Sequence, residues 1–117
     1  MNHLSGLVVE ETETFIKAVK KLKKRFKNIE DDCDEFVQSI ETTDNLGVDL
    51  GNGVYKVRIT NSDKKSGKRA GYRLISYLKL IDNKLYLIYI YYKSDLTTVS
   101  EKQIDTLIKK TTALIYN

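Results

Sequence analysis

Apolar residues recur at helical spacing in two consecutive segments near the start of the chain. The first stripe follows Thr12, a residue suited to cap a helix, and consists of Phe15, Val19, Leu22 and Phe26. The second stripe follows Asn28, which is expected to cap the next helix, and consists of Ile29, Cys33, Phe36, Val37 and Ile40. Together the two stripes predict an αα-hairpin with one apolar face.

Alternating side chains indicate β-strands in the middle of the chain. In residues 54–60 we expect one face to carry Tyr55, Val57 and Ile59, and the other to carry Val54, Lys56, Arg58 and Thr60. Residues 71–81 and 84–92 have the composition of two further strands, and residues 4–10 predict a short first strand. Three glycines punctuate residues 41–53, which are therefore predicted to form a loop.

The connection between the last two predicted strands fixes which side chains lie opposite each other. The dipeptide Asp-Asn at 82–83 suits a two-residue turn, because asparagine tolerates a positive φ angle. Such a turn pairs Ile81 with Lys84 and sets Arg73 opposite Tyr92.

A third helix is predicted near the end of the sequence. Ser100 and Gln103 form a capping box, and the stripe that follows consists of Ile104, Leu107, Ile108, Thr111 and Ile115. The elements then follow the order β-αα-βββ-α, so residues 1–117 are predicted to form a single α+β domain. We expect an antiparallel meander that is covered by helices on one side.

The chain has one histidine, His3, and one cysteine, Cys33. This pair does not supply the ligands of a zinc site, so no metal and no cofactor are expected, and no internal disulfide can form. Because Cys33 lies on an apolar stripe, we expect a small core residue rather than a nucleophile. No apolar run approaches the roughly 20 residues of a membrane span, and we expect a soluble cytoplasmic protein without a membrane partner.

Charge is distributed in blocks, although the net charge is only +4. Residues 17–27 carry seven basic groups and no acid, residues 28–49 carry eight acids and no base, and residues 53–79 carry eight basic groups and one acid. One interpretation is a charged partner for at least one face. The alternative is a solvated surface whose blocks neutralise each other. Cations beside tyrosines at strand ends favour RNA, because they can hold phosphates while a ring stacks an unpaired base.

Four segments carry a resemblance to a known family. They are Thr14-Phe-Ile-Lys-Ala-Val-Lys-Lys-Leu22, Val54-Tyr-Lys-Val-Arg-Ile-Thr60, Ser66-Gly-Lys-Arg-Ala-Gly-Tyr-Arg73 and Leu85-Tyr-Leu-Ile-Tyr-Ile-Tyr-Tyr-Lys-Ser94. The pattern resembles the RelE/HigB-like toxins of bacterial type II toxin–antitoxin systems, from about residue 7 to residue 110. The resemblance implies a RelE-like fold, a ribosome-dependent mRNA endoribonuclease that inhibits translation, and a cognate antitoxin as a partner.

The resemblance also implies which residues carry the chemistry. Cations on the second and third strands of the family match Lys56, Arg58 and Arg73. Arg73 is then expected on the scissile phosphate, with Lys56 or Arg58 in proton transfer or charge stabilisation. Because the 2′-hydroxyl of RNA is the nucleophile, this chemistry does not require a metal.

Other residues are expected to bind RNA outside the reacting atoms. Lys68 and Arg69 would hold flanking phosphates, Tyr92 would stack a base, and Lys93 is the nearest cation after the last strand.

The sequence departs from the family pattern just after that strand. Family members often carry a basic, histidine or tyrosine catalytic group there, whereas residues 94–98 offer none and contain Asp95. Two alternatives therefore stay open. One is a ParE-like inhibitor that binds DNA gyrase without catalysis, and the other is a non-toxic binding module on the same fold.

Overall fold

A computed structural model gives the fold as one five-stranded sheet with three helices. It describes residues 3–64, 71–96 and 101–116, with the side chain of Tyr116 excepted. Within these residues no helix is both long and apolar enough to cross a membrane. The elements in chain order are β1 (Val8–Glu11), α1 (Glu13–Lys23), α2 (Ile29–Ser39), β2 (Val48–Gly51), β3 (Val54–Ile59), β4 (Tyr72–Lys79), β5 (Lys84–Tyr92) and α3 (Glu101–Tyr116).

The two apolar stripes near the start of the chain form the buried faces of α1 and α2, as predicted. Thr12 begins α1, because its side-chain oxygen accepts a hydrogen bond from the Phe15 backbone amide at 3.2 Å. The same hydroxyl donates to the Leu87 carbonyl at 2.8 Å and so ties the helix to β5. Asn28 begins α2, but its side chain does not cap the helix. Its amide nitrogen donates instead to Asp63 at 2.9 Å, so the predicted side-chain cap is wrong.

The sheet has the strand order β1-β5-β4-β3-β2 and is mixed, because β1 runs parallel to β5 while the other pairs are antiparallel. The first strand is shorter than predicted and ends one residue later. The predicted loop 41–53 contains the additional edge strand β2, so the element order is β-αα-ββββ-α. All four residues of β2 are exposed, and a strand without a buried face leaves no alternation of burial in the sequence.

The predicted register between β4 and β5 is wrong by two residues beside the turn and by one residue at Arg73. A 3₁₀ turn at Leu80–Asp82 precedes Asn83, and Lys79 rather than Ile81 pairs with Lys84. A bulge beside Ile75 then recovers one of the two lost positions. Asn83 has the expected positive φ of 51°, but the connection is two residues longer than a tight turn.

Helices cover both faces of the sheet, which corrects the prediction of one-sided cover. On the hairpin face, the face covered by α1 and α2, the core includes Phe15, Leu22, Phe26, Leu74, Leu85 and Tyr92. On the opposite α3 face, Ile104 and Ile108 pack with Val54, Ile75, Tyr77, Ile88 and Tyr91. The reason lies in β4, in which every residue from Tyr72 to Leu78 is buried. Such a strand needs an apolar layer on each side.

Cys33 lies in the core of the hairpin face, as the apolar stripe predicted. Burial raises the pKa of its thiol to about 12, and the neighbouring carboxylates of Asp32 and Asp34 act in the same direction. The thiol therefore stays protonated near neutral pH, and this disfavours a nucleophilic role.

Two glycines on either side of β2 allow a direct test of how closely this strand packs. Gly47 and Gly51 have nearly the same φ, 91° and 92°. A Cβ atom at Gly47 would overlap the Lys56 carbonyl oxygen and lie 2.8 Å from the Val57 Cα, whereas a Cβ at Gly51 meets nothing within 4 Å. The two sites share nearly the same φ and differ in the space around the added atom.

We predict that Gly47→Ala is the more destabilising of the two alanine variants. Gly51→Ala is expected to lose about 1–2 kcal/mol of unfolding free energy from the positive φ, and Gly47→Ala a further ~1–3 kcal/mol from overpacking. Urea unfolding midpoints of the two variants measure the difference. Equal losses would show that β2 can move away from β3 at no cost.

Candidate functional site

The structure brings Lys56, Arg58 and Arg73 together on the α3 face of the sheet. Arg58 pairs directly with Arg73 across β3 and β4, and Arg73 pairs with Tyr91 across β4 and β5. Lys56 precedes Arg58 by two residues and so lies on the same face of β3. We call this group of four residues, including Tyr91, the cation row.

Arg73 is buried although it is charged, with 6% of its surface exposed. Burial lowers the pKa of its guanidinium, and the positive charge of the adjacent Arg58 lowers this pKa further. The Nη1 atom donates to the Tyr72 carbonyl at 3.3 Å. A buried cation beside an exposed one of like charge favours the binding of an anion between or above them.

Tyr91 is the aromatic residue of the row, and sequence analysis missed it because of the register. Its ring is 8% exposed and stacks on Tyr89 with 6.1 Å between the ring centres. Burial raises the pKa of its phenol, and Glu101 at the start of α3 raises that pKa as well, while the charge of Arg73 opposes the shift. The phenol therefore stays protonated at neutral pH and keeps a hydrogen that it can donate.

The structure places Tyr92 in the core of the hairpin face, away from the cation row. Tyr92 is 7% exposed, and its ring lies 4.8 Å from the ring of Phe26 and 6.2 Å from that of Tyr72. Because side chains alternate between faces along a strand, the one-residue error in register exchanged Tyr92 for Tyr91. The ring that was expected to stack on a base thus packs against α1 instead.

The turn that follows β5 carries Lys93 and Asp95. Lys93 is exposed, and its backbone amide donates to the Gly71 carbonyl at 3.1 Å, which holds the turn beside the start of β4. Asp95 pairs with Arg25, with oxygen–nitrogen distances of 2.6 and 3.3 Å. Asp95, which stands where family members often carry a catalytic group, therefore forms an ion pair with Arg25 just after α1. Lys68 and Arg69 lie outside the described residues.

Carboxylates hold residues 61–64, the segment that follows β3. The buried Asp32 of α2 accepts a hydrogen bond from the Ser62 backbone amide at 3.0 Å. Asp63 accepts from both the backbone and the side-chain amide of Asn28, at 3.0 and 2.9 Å. These contacts fix residues 61–64 on the N-terminal end of α2, so Lys64 has a defined place.

Comparison with known proteins identifies one family and one fold. A family model described as "RelE toxin of RelE / RelB toxin-antitoxin system" matches residues 11–116. Among solved structures, a mutant of the E. coli toxin RelE in the free state superposes with a TM-score of 0.54 at 15% sequence identity. The superposition covers 89% of this chain and 96% of that one. Comparison with curated proteins gives no match.

The electrostatic conflict between Arg58 and Arg73 generates a stability prediction. Removal of the Arg58 charge in Arg58→Gln should relieve the repulsion that lowers the pKa of Arg73. We expect the unfolding free energy to rise by about 0.2–1 kcal/mol, the range of pairs with an exposed member, and the gain to shrink as salt is added. Thermal or urea unfolding at low and high salt measures it.

The matched control is Lys110→Gln, which removes the same charge from an exposed position of α3. A gain of equal size in this control would assign the effect to net charge rather than to the cation row. A loss of stability in Arg58→Gln would show that Arg58 contributes contacts that outweigh the repulsion.

Proposed function

The chain belongs to the RelE toxin family of toxin–antitoxin systems, and we propose that it acts as a ribosome-dependent endoribonuclease that cleaves messenger RNA and inhibits translation. The observation that carries this proposal is the cation row, in which a buried arginine lies directly beside an exposed one on an otherwise apolar sheet face. A phosphodiester supplies the negative charge that such a row favours, and RNA supplies the nucleophile.

The proposed reaction is a transfer of the phosphodiester within RNA. The 2′-oxygen attacks the adjacent phosphorus, the bond from phosphorus to the 5′-oxygen breaks, and the products carry a 2′,3′-cyclic phosphate and a 5′-hydroxyl. One proton leaves the 2′-hydroxyl and one reaches the departing 5′-oxygen. Arg73 would hold the scissile phosphate and, with Arg58, stabilise the additional charge that develops on its oxygens.

Proton transfer divides the roles of Lys56 and Arg58. A guanidinium does not give up a proton in proteins, whereas an ammonium can donate one. We therefore assign proton donation to Lys56, which is half-buried on the same face, and charge stabilisation to Arg58. Tyr91 is a positioning residue beside Arg73. Lys68, Arg69 and Lys93 remain candidates for flanking phosphates, and the core position of Tyr92 removes it from the proposal.

The proton of the 2′-hydroxyl needs an acceptor, and Glu101 is the candidate. This carboxylate begins α3, three residues before Ile104, which packs in the same apolar cluster as Tyr91 on the α3 face. Glu101→Gln should slow cleavage without weakening RNA binding, since it removes a base and no cation.

We predict that the triple variant Lys56→Ala/Arg58→Ala/Arg73→Ala abolishes cleavage. Wild type and variant are induced in bacteria, and transcript 5′ ends are mapped across coding regions. New ends within translated frames are expected with wild type alone. A control variant, Lys20→Ala/Lys21→Ala/Lys110→Ala, removes the same charge at exposed positions away from the row and should cleave like wild type.

Other outcomes separate the alternatives. Growth arrest without new 5′ ends would assign the toxin to inhibition by binding, and DNA-break signalling would then indicate gyrase. An absence of arrest would indicate a binding module. Because Arg73 is buried, circular dichroism of the single variant Arg73→Ala distinguishes a lost site from a lost fold. We expect its spectrum to match that of the wild type.

The family pairs each toxin with an antitoxin, and we propose that the antitoxin covers the α3 face beside the cation row. Val48 and Leu50 of β2 are 62% and 46% exposed, and Val48 pairs directly with Lys56. Leu50 lines a groove together with Val54 and Ile108. An apolar strip that adjoins cations fits an amphipathic acidic segment.

We predict that Val48→Ser/Leu50→Ser weakens binding of the cognate antitoxin by about tenfold or more, a loss of ~1.4 kcal/mol or above. Isothermal titration calorimetry measures it. The control is Leu80→Ser/Ile81→Ser, since these residues of the β4–β5 turn are 60% and 87% exposed. If the control weakens binding more than the β2 variant does, the antitoxin is seated at the other end of the sheet.

A further inference from the structure

A second cationic groove lies on the hairpin face, outside the cation row. It runs between the C-terminal end of α1 and the segment that follows β3, and its basic lining residues are Lys23, Lys24, Arg25, Lys27 and Lys64. Asp63 is the one acid among the lining residues that the structure describes. We call this the α1 groove.

The acids near the α1 groove neutralise it only in part. Asp63 uses both carboxylate oxygens on Asn28, as described above. Lys23 is paired with Glu30, and Arg25 with Asp95. Within the described residues, Lys24, Lys27 and Lys64 have no ion pair within 4 Å. In the part of the chain that the structure describes, three exposed lysines without an ion pair thus line one groove, and its five basic residues outnumber the three neighbouring acids Asp63, Glu30 and Asp95.

The groove and the cation row lie at the same end of the sheet, on opposite faces. Phe26, which lines the groove, packs on Tyr72 and Tyr92 with ring centres 5.8 and 4.8 Å apart. These two tyrosines pair with each other across β4 and β5, directly after the pair Arg73 and Tyr91. A polyanion bound in the α1 groove is therefore at the same end of the sheet as the cation row.

We infer that the α1 groove binds the sugar-phosphate backbone of RNA outside the reacting segment, an inference that rests on the proposed function. Exposed lysines hold phosphates as flexible point charges and do not read the bases. Two kinds of RNA could supply this sugar-phosphate backbone. One is the single strand that continues from the cleavage site, and the other is structured RNA of the ribosome.

The test compares two variants that lose the same charge. Lys24→Gln/Lys27→Gln/Lys64→Gln removes these three groove cations, and Lys20→Gln/Lys21→Gln/Lys110→Gln removes three exposed cations elsewhere. Fluorescence anisotropy measures their binding to a labelled single-stranded oligoribonucleotide and to a labelled RNA hairpin at several salt concentrations. The groove variant should bind at least about tenfold more weakly, and its slope of log affinity against log salt should fall by ~0.7 to 0.9 per lost contact.

The outcomes are distinct. Loss on the single strand alone assigns the groove to messenger RNA, and loss on the hairpin assigns it to structured RNA. Unchanged binding, or a loss equal to that of the control, overturns the inference. Circular dichroism confirms that the groove variant is folded, as expected for exposed side chains.

The cation-row variant Lys56→Ala/Arg58→Ala/Arg73→Ala is titrated in the same experiment. If it loses affinity while the groove variant does not, the groove inference alone fails. If neither variant loses affinity, RNA binding by this protein fails as well, and the proposed function with it. An acidic peptide that binds the wild type but not the groove variant, while RNA affinity is the same for both proteins, would assign the groove to a protein partner and overturn the inference.

Discussion

The burial of β4 on both faces is the constraint on which the rest of the structure depends. Every residue from Tyr72 to Leu78 is shielded from water, so an apolar layer is required on each side of the sheet. The α1–α2 hairpin supplies one layer and α3 supplies the other. Arg73 is near one end of this central strand, and its charge is therefore held on the sheet rather than on a mobile loop. The fold thus places a cation where its position is fixed and its hydration is reduced.

A fixed, poorly hydrated cation beside a second one costs stability and gains affinity for an anion. The lowered pKa of Arg73 records this conflict, because burial and the charge of Arg58 both disfavour its protonated form. A bound phosphate would offset the repulsion, because it supplies negative charge beside both arginines. Functional sites commonly retain such local costs, which the rest of the fold offsets. In this sheet the offset comes from the two apolar clusters that surround the row, with Leu74, Ile75 and Ile90 each almost fully buried.

The sequence predicts the elements in which an apolar pattern repeats over several residues. It fails where a single turn or bulge changes the pairing of residues between strands. The predicted apolar stripes of α1 and α2 and the predicted faces of β3 are correct, because several residues in each element follow the same periodicity. The exposed strand β2 has no buried face and leaves no pattern. The register of β5 depends on a longer turn and on a bulge, and neither repeats along the chain. Side chains alternate between the two faces of a strand, so an error of one residue exchanges the faces. The prediction therefore assigned Tyr92, a core residue, to the site and overlooked Tyr91.

The fate of the acids decides between the two interpretations of the charge blocks. Mutual neutralisation would place the carboxylates of residues 28–49 and 63 against the lysines of α1. The Lys23–Glu30 pair does this, but Asp32 and Asp63 bind backbone or amide groups that fix the segment after β3. Asp95 ties the turn after β5 to Arg25. These acids are thus spent on positioning segments that carry Lys64 and Lys93, and those cations remain exposed. These acids order the basic segments while Lys64 and Lys93 make no ion pair within 4 Å to any residue that the structure describes, and exposed cations in ordered segments favour a polyanionic partner at this end of the sheet.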